Sequence, residues 1–245
     1  MDLPATLIHP DSLGDTLDAV NAALFYRLPL DEAIRREAAL WIAARQGLPR
    51  SYAGMFAPTA SDYVLGALTF TGEPVVSAAG AAHILSEEAC HALYRLGVDE
   101  PEPRAALQRA RANILRRIDG NGYRDRSGDE PLAGLFCCGT CSVSLWRHLL
   151  ASGRADDLQR LENGLAGLKR SRDGKGRWKR FPFYYTLLAL SEIDLPTARA
   201  EILYALPTIE RALRRVGRSL PGDGEDEAEY DRRRRIVMGR VLEKW

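Results

Sequence analysis

With 245 residues, 46% of them apolar, the chain is long enough for a large domain with a sizeable core. A formal net charge of +1 leaves no global field to attract nucleic acid or an anionic membrane, and no run approaches the roughly 20 apolar residues of a membrane span. The first residues carry neither a basic cluster nor a long apolar run, and three of the four cysteines crowd together at 137, 138 and 141, so the expectation is a cytoplasmic protein with reduced thiols.

Hydrophobic periodicity predicts helices along the whole chain and no strands. A helix near 12–26 precedes one over 31–46, where Ile34, Ala38, Trp41 and Ile42 form a single stripe that stops at Gly47. A more apolar helix is expected at 61–70. Ser61 and Asp62 at its start are good capping types, and Asp62 is also a candidate acid or ligand. The helix over 76–97 places Leu85, Ala89, Ala92, Leu93 and Leu96 on one side and His83, Glu87, Cys90, His91 and Tyr94 on the other. If that polar face is enclosed, Glu87 with His83 or His91, its i,i+4 neighbours, suits a metal; if it meets water, Glu87 simply pairs with a histidine.

A striped helix over 104–118 leads to Asp119–Glu130, which has part of the spacing of a calcium loop, although Tyr123 and Arg124 stand where a ligand and a glycine are needed. Cys137-Cys-Gly-Thr-Cys141 then opens an apolar helix at 139–150. Cys138 and Cys141 fall one turn apart on one face, an arrangement suited to zinc or to a thiol activated by the helix N-terminus; small buried cysteines equally suit close packing. A striped helix at 155–169, an apolar one at 183–193, and helices near 198–216 and 228–243 complete the set. Trp178, Phe183, Tyr184 and Tyr185 group around the start of the 183–193 helix. The acidic stretch after Pro221 reads as a linker, which divides the chain into a repeat domain over 1–220, a linker over 221–231 and a basic helix over 232–245. Arg232 to Arg235 read as a solvated face or as an anion patch. No nucleophile elbow or phosphate-binding loop occurs.

One arrangement occurs three times: a striped helix, a Gly-containing turn ending in an aromatic residue, then a more apolar helix. The turns are Arg45 to Tyr52, Arg117 to Tyr123 and Arg172 to Trp178. Repetition at intervals of tens of residues predicts stacked hairpins, with 31–46, 104–118 and 155–169 in an outer layer and 61–70, 139–150 and 183–193 inside.

The segments Asp119-Gly-Asn-Gly-Tyr123 with Cys141-Ser-Val-Ser-Leu-Trp146, and Asp173-Gly-Lys-Gly-Arg-Trp178 with Phe183-Tyr-Tyr-Thr-Leu-Leu-Ala-Leu190, resemble the α/α-toroid family of terpene cyclases and protein prenyltransferases. The resemblance implies an all-α fold, an α/α toroid of about five hairpins, open or incomplete. It also implies a central cavity for a small apolar, isoprenoid-type ligand, with Asp62, Cys141 and Tyr185 at the starts of inner helices as candidate catalytic residues. The zinc set of the prenyltransferases, Asp-x-Cys and a His before Thr, matches Gly139, Cys141 and Tyr185 before Thr186, so only the cysteine is retained. Zinc at Cys138 and Cys141, with Glu87 and His83 or His91 as further ligands, is the metal site to look for. The Asp-x-Asp-Asp acid of squalene-cyclase-type enzymes has no match. The alternative is a non-catalytic toroid that binds a partner protein or an apolar ligand.

Overall fold

The computed structural model describes residues 6–75, 77–121, 135–215 and 225–243. The calcium-like spacing beyond Asn121 and the start of the acidic stretch lie outside these residues. The described residues form ten α-helices and no strand: α1 (Leu13–Phe25), α2 (Glu32–Ala43), α3 (Ala60–Leu65), α4 (Ala78–Leu96), α5 (Pro101–Asn121), α6 (Gly139–Ser152), α7 (Ala155–Arg170), α8 (Phe183–Glu192), α9 (Pro196–Arg215) and α10 (Glu225–Glu243). No helix among the described residues is long and apolar enough to cross a membrane.

Two of the three repeated turns are fully described, and they close in the same way. After α2 an isolated antiparallel bridge joins Gln46 to Phe56, flanked by Gly47 N–H to Met55 O (2.7 Å) and Ala57 N–H to Arg45 O (3.0 Å). After α7 the bridge joins Arg172 to Trp178, flanked by Asp173 N–H to Arg177 O (2.9 Å) and Lys179 N–H to Ser171 O (2.7 Å). The chain reverses between the paired residues through positive-φ positions: Gly47, Arg50, Ala53 and Gly54 in the first turn, and Gly174 and Gly176 in the second, a region that favours glycine.

The backbone falls into two compact units. The first comprises the chain to Ala67, the stretch from Pro74 through α5, and Arg147–Gly153. Its core is α4, which packs against α1, α2, α3 and α5. Ser77 caps α4 by accepting from Gly80 N–H, and Gly97 ends it in the left-handed conformation. Both faces of α4 are buried, including His83, Glu87, Cys90 and His91. The water-facing reading of that polar side is therefore corrected: the face is enclosed, and Glu87 and Glu88 find partners within the core.

α3 differs from expectation in the opposite sense. Gly66, at φ +78°, ends it after Leu65, and Val64 and Leu65 are 84% and 79% exposed. Its start is the well-held end. Thr59 and Asp62 form a reciprocal capping box, and the Asp62 carboxylate also accepts from Ser12 Oγ (2.8 Å), Leu13 N–H (3.1 Å) and Gly14 N–H (3.0 Å) at the first turn of α1. One carboxylate thus closes two helix N-termini.

The second unit comprises Leu68–Glu73, α6 as far as Trp146, and α7 to α10. In it α8 packs on α9 and α10, and α9 on α7. Residues of α6 from Cys141 and of α8 from Tyr185 are buried without interruption over more than a turn, whereas α7 buries only Leu161, Leu165 and Leu168 of its stripe and leaves Leu158 exposed. The aromatic turn after α7 is tied to α9: Glu201 accepts from Trp178 Nε1 (2.8 Å) and pairs with Arg172 (2.9 Å), while Asp173 accepts from Tyr204 OH (2.9 Å).

The loop Leu68–Glu73 is clamped between α8 and α10. Glu73 Oε1 accepts from the N–H groups of Tyr184 (2.7 Å) and Tyr185 (3.3 Å), and Oε2 accepts from the hydroxyls of Thr69 and Thr71. Arg233 donates to Phe70 O (3.1 Å) and lies over the Phe70 ring at 4.2 Å; Arg234 donates to Thr71 O (2.8 Å). Neither a solvated face nor an anion patch describes these two arginines. They are structural clamps, held by loop carbonyls and an aromatic face and also paired with Glu229 (3.0 Å), Glu227 (3.0 Å) and Asp231 (3.2 Å) of the acidic stretch; only Arg232 and Arg235 of the run are exposed. Replacing Glu73 with Ala removes the acceptor for the first turn of α8 and both threonine hydroxyls. The expected loss is about 2–3 kcal/mol in urea unfolding, with Glu73→Gln losing less.

Candidate functional site

Two polar clusters stand out, one in each unit. In the first unit Glu87 Oε2 meets Nδ1 of His148 at 2.6 Å, with both side chains fully enclosed. The ring of Tyr94 stacks on that of His148 at 5.8 Å. Next to it on α4, Glu88 pairs with Arg147 (2.9 and 2.8 Å) and accepts from Asn21 Nδ2 of α1 (2.9 Å). Arg147 also approaches Nε2 of His91 at 3.4 Å. Burial pushes His91 well below the ordinary histidine range, helped by the nearby charges of Arg147, Arg95 and His148, so His91 is neutral. Burial, together with Glu87, pushes the Cys90 thiol up, so it is protonated and inert.

Glu87 therefore pairs with His148, seven residues beyond Cys141, and with neither of its neighbours on α4. His83 stacks instead on Tyr52 of the first repeated turn, centroid to centroid 3.7 Å. The buried acidic partners of Arg147 and His148 were not read from sequence. A signal for them exists: two basic side chains in the middle of an otherwise apolar helix need buried acidic partners, and Glu87-Glu88 is such a pair in another apolar helix.

In the second unit the start of α6 is built tightly. The N–H of Cys138 bonds to Phe136 O (2.7 Å), which turns the chain at Cys137 with φ +59°. Ser142 holds this turn from inside the helix, its hydroxyl accepting from Phe136 N–H (2.9 Å) and lying 2.8 Å from Cys138 O. Gly139 lies so close to the Arg180 carbonyl that a Cβ there would collide with it, and Trp146 stacks on Phe181 at 5.8 Å. Cys138 occupies the cap position. Its carbonyl accepts the first helical bond from Ser142 N–H (2.9 Å), and its sulfur lies 3.5 Å from the N–H of Cys141.

Three sulfurs result from one turn. Cys138 Sγ and Cys141 Sγ are 3.4 Å apart, and Cys137 Sγ lies within 4.8 Å of Cys141 Sγ. Cys137 and Cys138 are exposed, Cys141 buried. Hydrogen bonds from the Cys137 and Cys141 thiols, then from backbone N–H groups of the first turn, hold Cys138 far below the ordinary thiol range; the same neighbours, with burial, push Cys141 up. The charged form is thus favoured at the exposed Cys138 and disfavoured at the buried Cys141. Such a set fits a soft divalent cation: sulfurs around a tetrahedral zinc, at Zn–S of about 2.3 Å, sit about 3.8 Å apart, close to the spacing seen here.

Of the other candidate residues, Asp62 belongs to the first unit, where its carboxylate is committed to the two helix caps. Tyr185 belongs to the second, fully buried on α8. His83, Glu87 and His91 belong to the first unit, and Cys138 and Cys141 to the second. No protein-family model, curated protein or solved structure matches the chain.

The enclosed cluster of α4 predicts acid sensitivity. Unfolded His91 takes up a proton as pH falls through about 6.5, whereas folded His91 resists it, so stability present at neutral pH is lost below that value. From this group the loss is at most about 1.4 kcal/mol per pH unit, and His91→Gln should flatten the profile between pH 7 and 5 in denaturant titrations. Glu87→Leu leaves the buried His148 without its partner and should cost about 1–3 kcal/mol in the same titrations.

Proposed function

We propose that the chain is a prenyltransferase- or terpene-cyclase-like helical-repeat protein that takes an apolar, isoprenoid-type ligand and holds zinc at the cysteines that open α6. The observation that carries this reading is the sulfur cluster: Cys138 and Cys141 are 3.4 Å apart, with Cys137 beside them. Three protein sulfurs leave one of zinc's four positions open, as in catalytic rather than structural zinc sites. When bound there, zinc would supply a Lewis acid or would hold a thiolate nucleophile. Backbone N–H groups at the helix start favour the charged form of Cys138, the form that binds metal, and Cys141 stands where the resembling prenyltransferases keep their zinc cysteine. Further support comes from the two repeated turns, which share one bridged geometry, and from the apolar helices that follow at α6 and α8. An α/α toroid, open or incomplete, is the arrangement proposed for them, in a reducing cytoplasmic setting that keeps the thiols free.

A second reading, a non-catalytic toroid that binds a partner protein or an apolar ligand, draws on a specific observation. Asp62, the candidate acid, spends its carboxylate on capping α1 and α3.

Metal analysis of the reduced full chain separates the two. The first reading predicts about one zinc per chain, lost in Cys138→Ser and in Cys141→Ala, and a rise in melting temperature with a farnesyl-type probe. A chain that takes up no zinc after reconstitution, yet is still stabilised by the probe, leaves the binding module. A chain indifferent to both contradicts the isoprenoid reading.

A further inference from the structure

The three cysteines differ in a way that zinc binding does not require. Cys138 is exposed, Cys141 is buried one turn away, and their sulfurs are 3.4 Å apart. A disulfide needs sulfurs at about 2.05 Å and Cα atoms within roughly 4.4–6.8 Å, a span that residues three apart at a helix start satisfy. Closing the remaining gap takes side-chain rotation alone. The backbone around the pair is fixed independently of the sulfurs, by the Ser142 hydroxyl on Phe136 and Cys138 and by the close approach of Gly139 to Arg180. Forming or breaking the bond therefore leaves α6 in place.

We propose that Cys138 and Cys141 form a dithiol–disulfide couple that exchanges with disulfide substrates, Cys138 attacking from the surface and Cys141 completing the reaction from inside. In the first step the Cys138 thiolate attacks one sulfur of a substrate disulfide. A Cys138–substrate mixed disulfide forms, the substrate S–S bond breaks, and one substrate thiolate leaves. In the second step the Cys141 sulfur attacks Cys138 Sγ. The Cys138–Cys141 bond forms and the second substrate thiolate leaves, and it takes the proton that Cys141 gives up. The protein dithiol is oxidised by two electrons and the substrate disulfide is reduced by two. Exposure selects the attacking residue, because only Cys138 combines access with the cap position, where backbone N–H groups support a thiolate. Burial selects the resolving residue, because Cys141 reaches Cys138 and no external disulfide. Cys137 is exposed too and its sulfur lies beside the pair, within 4.8 Å of Cys141 Sγ, but Cys138 is the one at the cap, with its sulfur 3.5 Å from the Cys141 N–H. Cys90 is buried in the other unit.

This activity does not rest on the zinc reading, since bound metal and disulfide make exclusive use of the same sulfurs. The test is run on the reduced full chain with a chelator present, so failure to bind zinc leaves it untouched. The probe is oxidised glutathione, read by intact-mass and peptide-mass analysis. Wild type is expected to lose two hydrogens in a Cys138–Cys141 bond and to retain no glutathione. Cys141→Ala is expected to accumulate one glutathione on Cys138, the first step trapped. Cys138→Ser, which keeps a good helix cap and hence the fold, should react at least about tenfold more slowly; Cys137→Ser should still form the Cys138–Cys141 bond. Persistent glutathione on the wild type with no internal bond overturns the proposal, as does a Cys138→Ser variant that reacts at the wild-type rate. Loss of the internal bond in Cys137→Ser overturns the assignment of the pair.

Discussion

Glu87 and Glu88 are neighbouring carboxylates enclosed in the core of the first unit, and neither is tolerable there alone. An ionised carboxylate taken out of water costs several kcal/mol unless an opposite charge and hydrogen bonds compensate it. Their positions on α4, about 100° apart, send them to different partners. Glu87 goes to His148, and Glu88 goes to Arg147 and to Asn21 of α1. The consecutive Arg147-His148 thus answers the consecutive Glu87-Glu88. Shifting either helix by one residue would leave four buried polar groups mismatched. Such pairs contribute little net stability compared with an apolar core, but they penalise every other register severely, and α4 is the helix on which α1, α2, α3 and α5 all pack.

The start of α6 is held by other means. Here a backbone-to-backbone approach at Gly139 and a serine that brackets the preceding turn do the positioning, and no charge pair is involved. That places the Cys138 sulfur, partly exposed, at a rigid point of the backbone. A side chain with no packing or capping task beyond its own helix, held at a rigid point and partly exposed, is where chemistry is most economically placed. Asp62 and Glu73 illustrate the contrast. Both are acids that sequence alone would allow in a site, and both are consumed by helix N-termini.

The helix set was legible because periodicity and caps report local preference, and those preferences agree with the packing in α2, α5, α7 and α8. The repeated turn was legible too, with glycine at positive-φ positions 47, 174 and 176, although Arg50 takes such a conformation without being glycine. α3 was not: Gly66 ends it early, and nothing in its apolar run shows that Val64 and Leu65 stay exposed. The polar face of α4 was left open between enclosure and water because burial of a charged face depends on partners far away in sequence, at Arg147 and His148, which no window on α4 contains. Arg233 and Arg234 failed for the same reason, since their acceptors are carbonyls of the loop at 70–72. The cysteine pair was readable from its spacing and its position before an apolar helix. What spacing could not supply was the asymmetry within it, one sulfur outside and one inside, which arises from the turn at Cys137.

That asymmetry is the central claim, and competitive alkylation of the native, reduced chain tests it most directly, with a chelator present and each cysteine quantified by peptide mass. The account predicts that Cys138 is modified first and that Cys141 and Cys90 are modified last. Unfolding in denaturant should then bring all four to similar rates. Uniform, slow modification of all four cysteines in the native chain, or Cys90 reacting as fast as Cys138, would contradict it.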